Sequence, residues 1–288
     1  MRSNSSTARI KPLKDKSMTK LYFLGNATKV QMMGFVIVSD GATVVIDGGS
    51  FGDNKQLSEL LSEVSGGHVD AWFFTHPHHD HIGAFYKIIK HKDNVTVDRI
   101  YHHFPPLEAL KELGSRHEGE IALWEGLFKR FDTDFKDKVH VISAGDVYSF
   151  GKLTISVLRT YNEEITENFV NNSSAVMRLD GEKSSVLILG DLGREGGDEV
   201  KEKCHRESLV TDYTQMAHHG QGGVRRDFYE YIKPKACLWP TPDWLYNNDN
   251  GDGFDTGPWQ TVRTREWIEE LGVKEHIIEK DGTTVIDI

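Results

Sequence analysis

Residues 71–82 read Ala-Trp-Phe-Phe-Thr-His-Pro-His-His-Asp-His-Ile. The first four are apolar on both sides, which marks a strand buried on both faces. Ile82, Phe85, Ile88 and Ile89 follow at helical spacing. His76, His78, His79, Asp80 and His81 stand at the turn between strand and helix. Packing gives no reason for such a run, whereas imidazole and carboxylate are the donors that bind zinc and also suit iron or manganese. In extended chain His76 and His78 point the same way and can reach one ion. Asp80 and His81, at the entry to the helix, can reach a second. His79 points away from His76 and His78 and is left out. The plain alternative is a set of surface histidines with Asp80 capping a helix.

Short β-like runs alternate with helical patterns around this stretch. Leu21–Gly25, 34–41 and 42–49 read as early strands, with Asp40-Gly41 as a hairpin turn. Leu57, Leu60, Leu61 and Val64 mark one apolar helix face. A strand is expected near 97–101, and a helical region over about 107–128, broken near Gly114. Further strands fall at 139–143, 153–158, 174–179, 185–190, 213–217 and 236–239. Asp180-Gly181 is a hairpin signal between two of them, and a final hairpin is expected around Asp281-Gly282. Helices are expected over 224–232 and 259–271, and Cys204 reads as a helix residue near the surface. The strand and helix texture of the first half recurs in the second. No linker divides residues 20–288, so residues 18–288 read as one α/β domain with two sheets and outer helices.

The chain has 288 residues, enough for a core that needs no disulfide staples. Its 38% hydrophobic and 27% charged residues are a globular balance. No apolar run is long enough to span a membrane. Residues 1–17 hold five basic residues, one acid and no apolar signal core, so they are expected to be a flexible tail and the chain cytoplasmic. The net charge of −10 disfavours long nucleic acid as a partner held by bulk charge. Two cysteines, Cys204 and Cys237, cannot build a thiolate metal cage.

Three further groups end apolar strands: Asp47, Asp191, and His218-His219 before Gly220. Singly, each is an ordinary turn or cap residue. Beside the histidine run they acquire a shared meaning, because strand ends at one sheet edge converge on one place.

His76-Pro77-His78-His79-Asp80-His81 resembles the His-x-His-x-Asp-His signature of the metallo-β-lactamase superfamily. Asp47, Asp191 and the late histidine pair fall in that family's order. The resemblance implies a four-layer αββα sandwich with two mixed sheets, two divalent ions, and Asp191 as their bridge. It implies His76 and His78 at the first ion, and Asp80, His81 and His219 at the second. His219 is preferred because the ligand histidine of relatives directly precedes glycine; the reverse assignment with His218 stays open. The stretch 171–196 followed by Ala217-His218-His219-Gly220-Gln221 resembles a branch holding DNA-uptake hydrolase domains and phosphorylcholine esterases. Gln221 stands where that branch has serine. A second departure is the lack of a histidine about twenty residues before Asp191; Asn172 lies there and is the candidate ligand, with water as the alternative. Zinc is expected first, with manganese or iron as alternatives.

The implied reaction is hydrolysis of a small phosphodiester or related ester by a hydroxide that bridges the two ions. Asp80 would orient it, and Asp47 would accept a hydrogen bond from a ligand histidine. His218 would face the substrate. His102 or His103 follows a strand, and His103 is the candidate for protonating a leaving group; the plainer reading is a half-exposed strand end. The segment 239–259 is rich in aromatics and acids. Trp239, Trp244 and Tyr246 are its candidates for lining the substrate pocket, unless these rings only pin the loop to the core. Two other functions fit the sequence: a nuclease acting on single-stranded DNA, and a metal-binding module without turnover.

Overall fold

The computed structural model describes residues 18–91, 94–115 and 117–288; the expected tail, 1–17, lies outside them. Fourteen strands follow in chain order: β1 Lys20–Phe23, β2 Gly34–Ser39, β3 Ala42–Asp47, β4 His68–Phe73, β5 Thr96–His102, β6 Val139–Val141, β7 Val147–Phe150, β8 Leu153–Arg159, β9 Val176–Asp180, β10 Ser185–Ile188, β11 Tyr213–Gln215, β12 Ala236–Trp239, β13 Glu275–Ile278 and β14 Thr284–Asp287. They form two seven-stranded sheets, ordered β14-β1-β2-β3-β4-β5-β6 and β13-β12-β11-β10-β9-β8-β7.

The sheets repeat one plan. β14, β1, β2 and β3 pair antiparallel, and β3 to β6 pair parallel. In the other sheet β7 to β10 pair antiparallel and β10 to β13 parallel. Both sheets are mixed, and the recurring texture of the sequence reflects this.

Three apolar layers hold the molecule together. Phe35, Phe73, Tyr101, Ile155, Met177 and Ile188 are part of the cluster between the sheets. Trp72, Phe74 and Phe85 join the first sheet to the helices Asn54–Ser65, His79–His91 and Glu118–Asp132. Leu187, Leu189, Phe228 and Ile268 join the second sheet to its own helices, among them Arg194–Lys203, Arg226–Ile232 and Thr261–Glu270. The order helix, sheet, sheet, helix is the expected four-layer sandwich. Among the described residues no helix is long and apolar enough to cross a membrane.

Local expectations fare unevenly. Asp40-Gly41 closes a hairpin, with Ser39 opposite Ala42 and both turn residues at positive φ. The helical region near Gly114 is broken as expected: a π-turn at Leu110–Gly114 precedes the helix Glu118–Asp132. The hairpin expected at Asp281-Gly282 does not form. A short 3-10 turn, Glu279–Asp281, carries the chain from one sheet to the other, so β13 pairs with β12 and β14 with β1. A turn signal marks a change of direction but not which sheet receives the next strand. Cys204 lies just beyond the end of the helix Arg194–Lys203 and is half-buried.

Candidate metal centre

The site lies where strand ends of both sheets meet. Asp47 closes β3, and the chain turns through Asp47, Gly48 and Gly49 at φ of 56°, 146° and 100°. The Asp47 carboxylate accepts from the Thr75 amide at 2.8 Å and the Thr75 hydroxyl at 2.7 Å. Its Oδ2 also lies 2.8 Å from His81 Nδ1. That contact ties down one nitrogen of His81 and leaves Nε2 facing the centre. A carboxylate behind a ligand imidazole fixes its tautomer and orientation.

Asp191 follows β10, its amide donating to Ser174 Oγ at 3.0 Å. Its two oxygens face different neighbours. Oδ1 is 3.2 Å from His81 Nε2, while Oδ2 is 3.6 Å from His76 Nε2 and 3.4 Å from His219 Nε2. His76 Nε2 is 3.0 Å from His78 Nδ1, and His219 Nε2 is 3.2 Å from Asp80 Oδ2. Two groups of potential ligands result, with ligand atoms within 4.8 Å of one another in each. One is His76, His78 and Asp191; the other is Asp80, His81, Asp191 and His219.

Three buried atoms here, His81 Nε2, His219 Nε2 and Asp191 Oδ1, have no hydrogen-bond partner. Orphaned buried polar atoms are costly, and three around one centre need a common partner. A cation among two carboxylates and imidazole nitrogens supplies it, so the donor set fits divalent metal.

The electrostatics agree. Burial, reinforced by the charge on His81, holds His76 well below the usual imidazole range, and burial lowers His78 and His218 as well. Burial also works against charge on His81, but Asp191, Asp47 and Asp80 overrule it and push its pKa to about 10. His219 is raised well above the normal range against its burial, chiefly by Asp191. Burial opposes ionisation of Asp80 and Asp191 too, yet the neighbouring histidines hold both well below the carboxylate range. The carboxylates thus favour positive charge at His81 and His219, and a cation between them would supply that charge in place of protons.

His218 and His219 form a sharp turn, both at positive φ, and their side chains diverge. His219 is fully buried and its Nδ1 is 2.5 Å from the Pro240 carbonyl. His218 lies on the pocket side, its Nε2 3.9 Å from Asp191 Oδ2.

Asn172 is turned away. Its Oδ1 accepts from the amides of Gly193 and Gly196 at 2.9 and 3.1 Å, and its Nδ2 donates to Glu167 O and Glu195 Oε2 at 2.8 and 3.0 Å. It anchors the start of the helix Arg194–Lys203 and has no lone pair left for an ion. The short helical turn Phe169–Asn172 gives successive side chains different directions. The neighbour, Asn171, is the one beside the centre: its Nδ2 is 3.4 Å from His218 Nε2, and its buried Oδ1 is unpartnered.

His103 also lies elsewhere. Its Nδ1 is 2.5 Å from the Ile142 carbonyl, and it lines a separate cavity of about 520 Å³ with Arg159 and Tyr161. His102 is a core imidazole, stacked on Phe131 and lowered by burial to about 3. The three aromatic candidates pin their loop. Trp239 is fully buried beneath Gly220, where an added Cβ would stand 2.6 Å from the indole. Trp244 donates to the Lys29 carbonyl at 2.8 Å and packs on Trp259, and Arg265 covers Tyr246.

The pocket beside the metal groups has a volume of about 530 Å³. Besides His78, Asp80, Asp191 and His218 its lining includes Gln31, Phe51, His117 and Glu120. None of these last four carries a local sequence signal. Glu120 Oε1 stands 3.9 Å from both His78 Nε2 and His79 Nδ1. In the same helix Trp124 donates to the Pro77 carbonyl at 2.7 Å, holding the chain between His76 and His78.

Comparison with known proteins points one way. Residues 33–236 match the family model described as the metallo-beta-lactamase superfamily. ComE operon protein 3 of Bacillus subtilis (strain 168) is 25% identical over 187 residues, which are 64% of this chain and 21% of that protein. The chain thus spans about a fifth of that relative. Among solved structures, the metallo-beta-lactamase fold protein YhfI from Bacillus subtilis is 17% identical, with a TM-score of 0.54 over 94% of this chain and 100% of its own. CmlA, a diiron beta-hydroxylase from Streptomyces venezuelae, is 12% identical, with a TM-score of 0.55 over 94% of this chain and 54% of its own. At these identities the two structures speak to fold alone. With a family model that covers most of the domain, the chain belongs to the metallo-β-lactamase superfamily.

Proposed function

We propose that the chain is a binuclear metal-dependent hydrolase acting on a small phosphodiester or a related ester. The observation that carries this is Asp191, whose carboxylate belongs to both ligand groups, with Oδ2 near His76 and His219 and Oδ1 near His81. His76 and His78 would hold the first ion with Asp191. Asp80, His81 and His219 would hold the second with the same carboxylate. The nitrogen-rich donor set favours zinc, with manganese or iron as the next candidates. Two divalent ions held by these residues would supply Lewis acidity and make water a nucleophile at neutral pH.

The chain's own groups do the rest. Asp80, at the pocket wall, orients the attacking water, and His218 on the opposite side faces the substrate. A pocket of about 530 Å³ suits a small molecule. Among the described residues its lining has no lysine or arginine, so the substrate's negative charge would be met chiefly by the ions. That favours one diester or ester group over a long polyanion.

The test is hydrolysis by protein loaded separately with zinc, manganese and iron. Turnover of bis(p-nitrophenyl) phosphate or of a carboxylic ester, lost on chelation and restored by metal, is expected. Degradation of single-stranded DNA without turnover of the small diester would favour a nuclease. Two bound ions with no turnover of any of these substrates would leave a metal-binding module.

A further inference from the structure

The departure at Gln221 has a partner in the other half of the molecule. Gln221 follows the His218-His219-Gly220 turn, and its amide nitrogen Nε2 donates to Gln31 Oε1 at 3.1 Å. Gln31 Nε2 in turn donates to Asp80 Oδ2 at 2.7 Å. The two glutamines are 190 positions apart in sequence. Both backbones are fixed nearby: the Gln31 carbonyl accepts from Ser50 Oγ at 3.0 Å, and the Gln221 amide donates to the His218 carbonyl at 2.8 Å. Two residues beyond Gln31, the Met33 amide donates to the Asp80 carbonyl at 3.1 Å.

A primary amide can turn either face to a carboxylate. With NH₂ toward Asp80 it donates and holds the carboxylate in place. With the carbonyl toward Asp80, two acceptors meet and repel. The carboxylate only accepts, so Asp80 selects the NH₂ face of Gln31. That leaves the Gln31 carbonyl toward Gln221, whose NH₂ donates to it and reinforces the same face at the pocket wall. The order Gln221 to Gln31 to Asp80 therefore has a direction, each amide donating toward the acid.

We propose that Gln31 and Gln221 are positioning residues for Asp80: Gln221 reinforces the amide face of Gln31 that Asp80 selects, and Gln31 would hold Oδ2 of Asp80 toward the second ion. The inference rests on the metal-binding reading of the site. It gives a physical role to the glutamine that replaces serine after the late histidine pair. It also makes the second ion depend on a contact between the two halves of the sandwich.

The discriminating variant is Gln221→Glu. A carboxylate there accepts instead of donating, so it draws the Gln31 NH₂ away from Asp80. Partner groups behind metal ligands typically tune affinity by about 10–100-fold. Gln221→Glu is expected to weaken the second ion by roughly tenfold in chelator competition, with the first ion little changed. Gln221→Ser removes the donor without reversing it and should cost less than Gln221→Glu. Gln31→Leu should weaken the second ion as well, and in that background Gln221→Glu should add no further loss. A cobalt(II) absorption spectrum reports the geometry of the second site independently of turnover, and circular dichroism of each metal-free variant separates misfolding from repositioning. Second-ion affinity unchanged in Gln221→Glu overturns the proposal, as does a full additional loss in the double variant. Wild-type protein that takes up no metal overturns the metal reading and this proposal together; wild type with two ions and indifferent variants overturns this proposal alone.

Discussion

The two ligand groups that share Asp191 are backed unequally. On the second side each of the three candidate ligands besides Asp191 has support from behind. His81 leans on Asp47, His219 on the Pro240 carbonyl and Asp80 on Gln31, and all three ligands are buried. On the first side His76 is buried and held by the Thr75 hydroxyl at 3.1 Å, but the His78 side chain is 23% exposed and its outer nitrogen has only Glu120 at 3.9 Å. Among the described residues no third histidine joins this side, and Asn172 is committed elsewhere. A closed cage holds an ion, whereas an incomplete one leaves positions for water and substrate. On the proposed reading the difference would separate the two ions: the second would be held more firmly, and the first would have more positions open to water and substrate.

Asp191→Ala tests what the two sides have in common and has the largest expected effect. One carboxylate serves both groups, so its removal should release both ions, leaving fewer than one equivalent by elemental analysis after desalting. It should abolish any hydrolysis with them. A variant that keeps two equivalents would show that the two groups do not depend on a common bridge, and the comparison above would lose its basis.

Asn172→Ala separates ligand from scaffold on the weaker side. Its side chain satisfies two buried amides at the start of the helix Arg194–Lys203. Leaving buried donors unmade costs about 1–3 kcal/mol. The metal-free variant should therefore unfold at lower denaturant while the loaded variant still carries two ions. Loss of one ion with unchanged stability would make Asn172 a ligand after all, and the first side would be less open than its geometry implies.

These contrasts show where the sequence is informative. The convergence of His76, His78, Asp80, His81, Asp47, Asp191 and His219 was legible because they stand at ends of apolar strands or at the opening of a helix, and strand ends of a layered sandwich converge. Asn172 was expected at the centre but turns away from it, since spacing locates a turn but not the direction of each side chain within a helical turn. His103 and the aromatics at 239, 244 and 246 were chosen by composition and by proximity to strand ends. Composition does not distinguish a ring that lines a pocket from one that supports a glycine turn, as Trp239 does. Gln31 and Glu120 left no local trace, because their roles arise from contacts across the fold. The same limit hid the partner of the last strand, β1, which is remote from it in sequence.

His79→Ala is the smallest expected effect and the sharpest check on side-chain direction. His79 stands between two residues of the metal groups, His78 and Asp80, yet its side chain is 48% exposed and belongs to neither group. Its neighbours are Glu120 at 3.9 Å and the stacked ring of Phe51 at 6.3 Å between centroids. The nearby Glu120 carboxylate raises its pKa above the ordinary imidazole value, which favours a proton over an ion on this ring. An exposed pair of this kind contributes about 0–1 kcal/mol. Removing the ring should leave metal content at two equivalents and stability within that small range. Loss of one equivalent would mean that His79 turns inward when metal is present, and the alternation that places His76 and His78 on one side of the chain would not govern this turn.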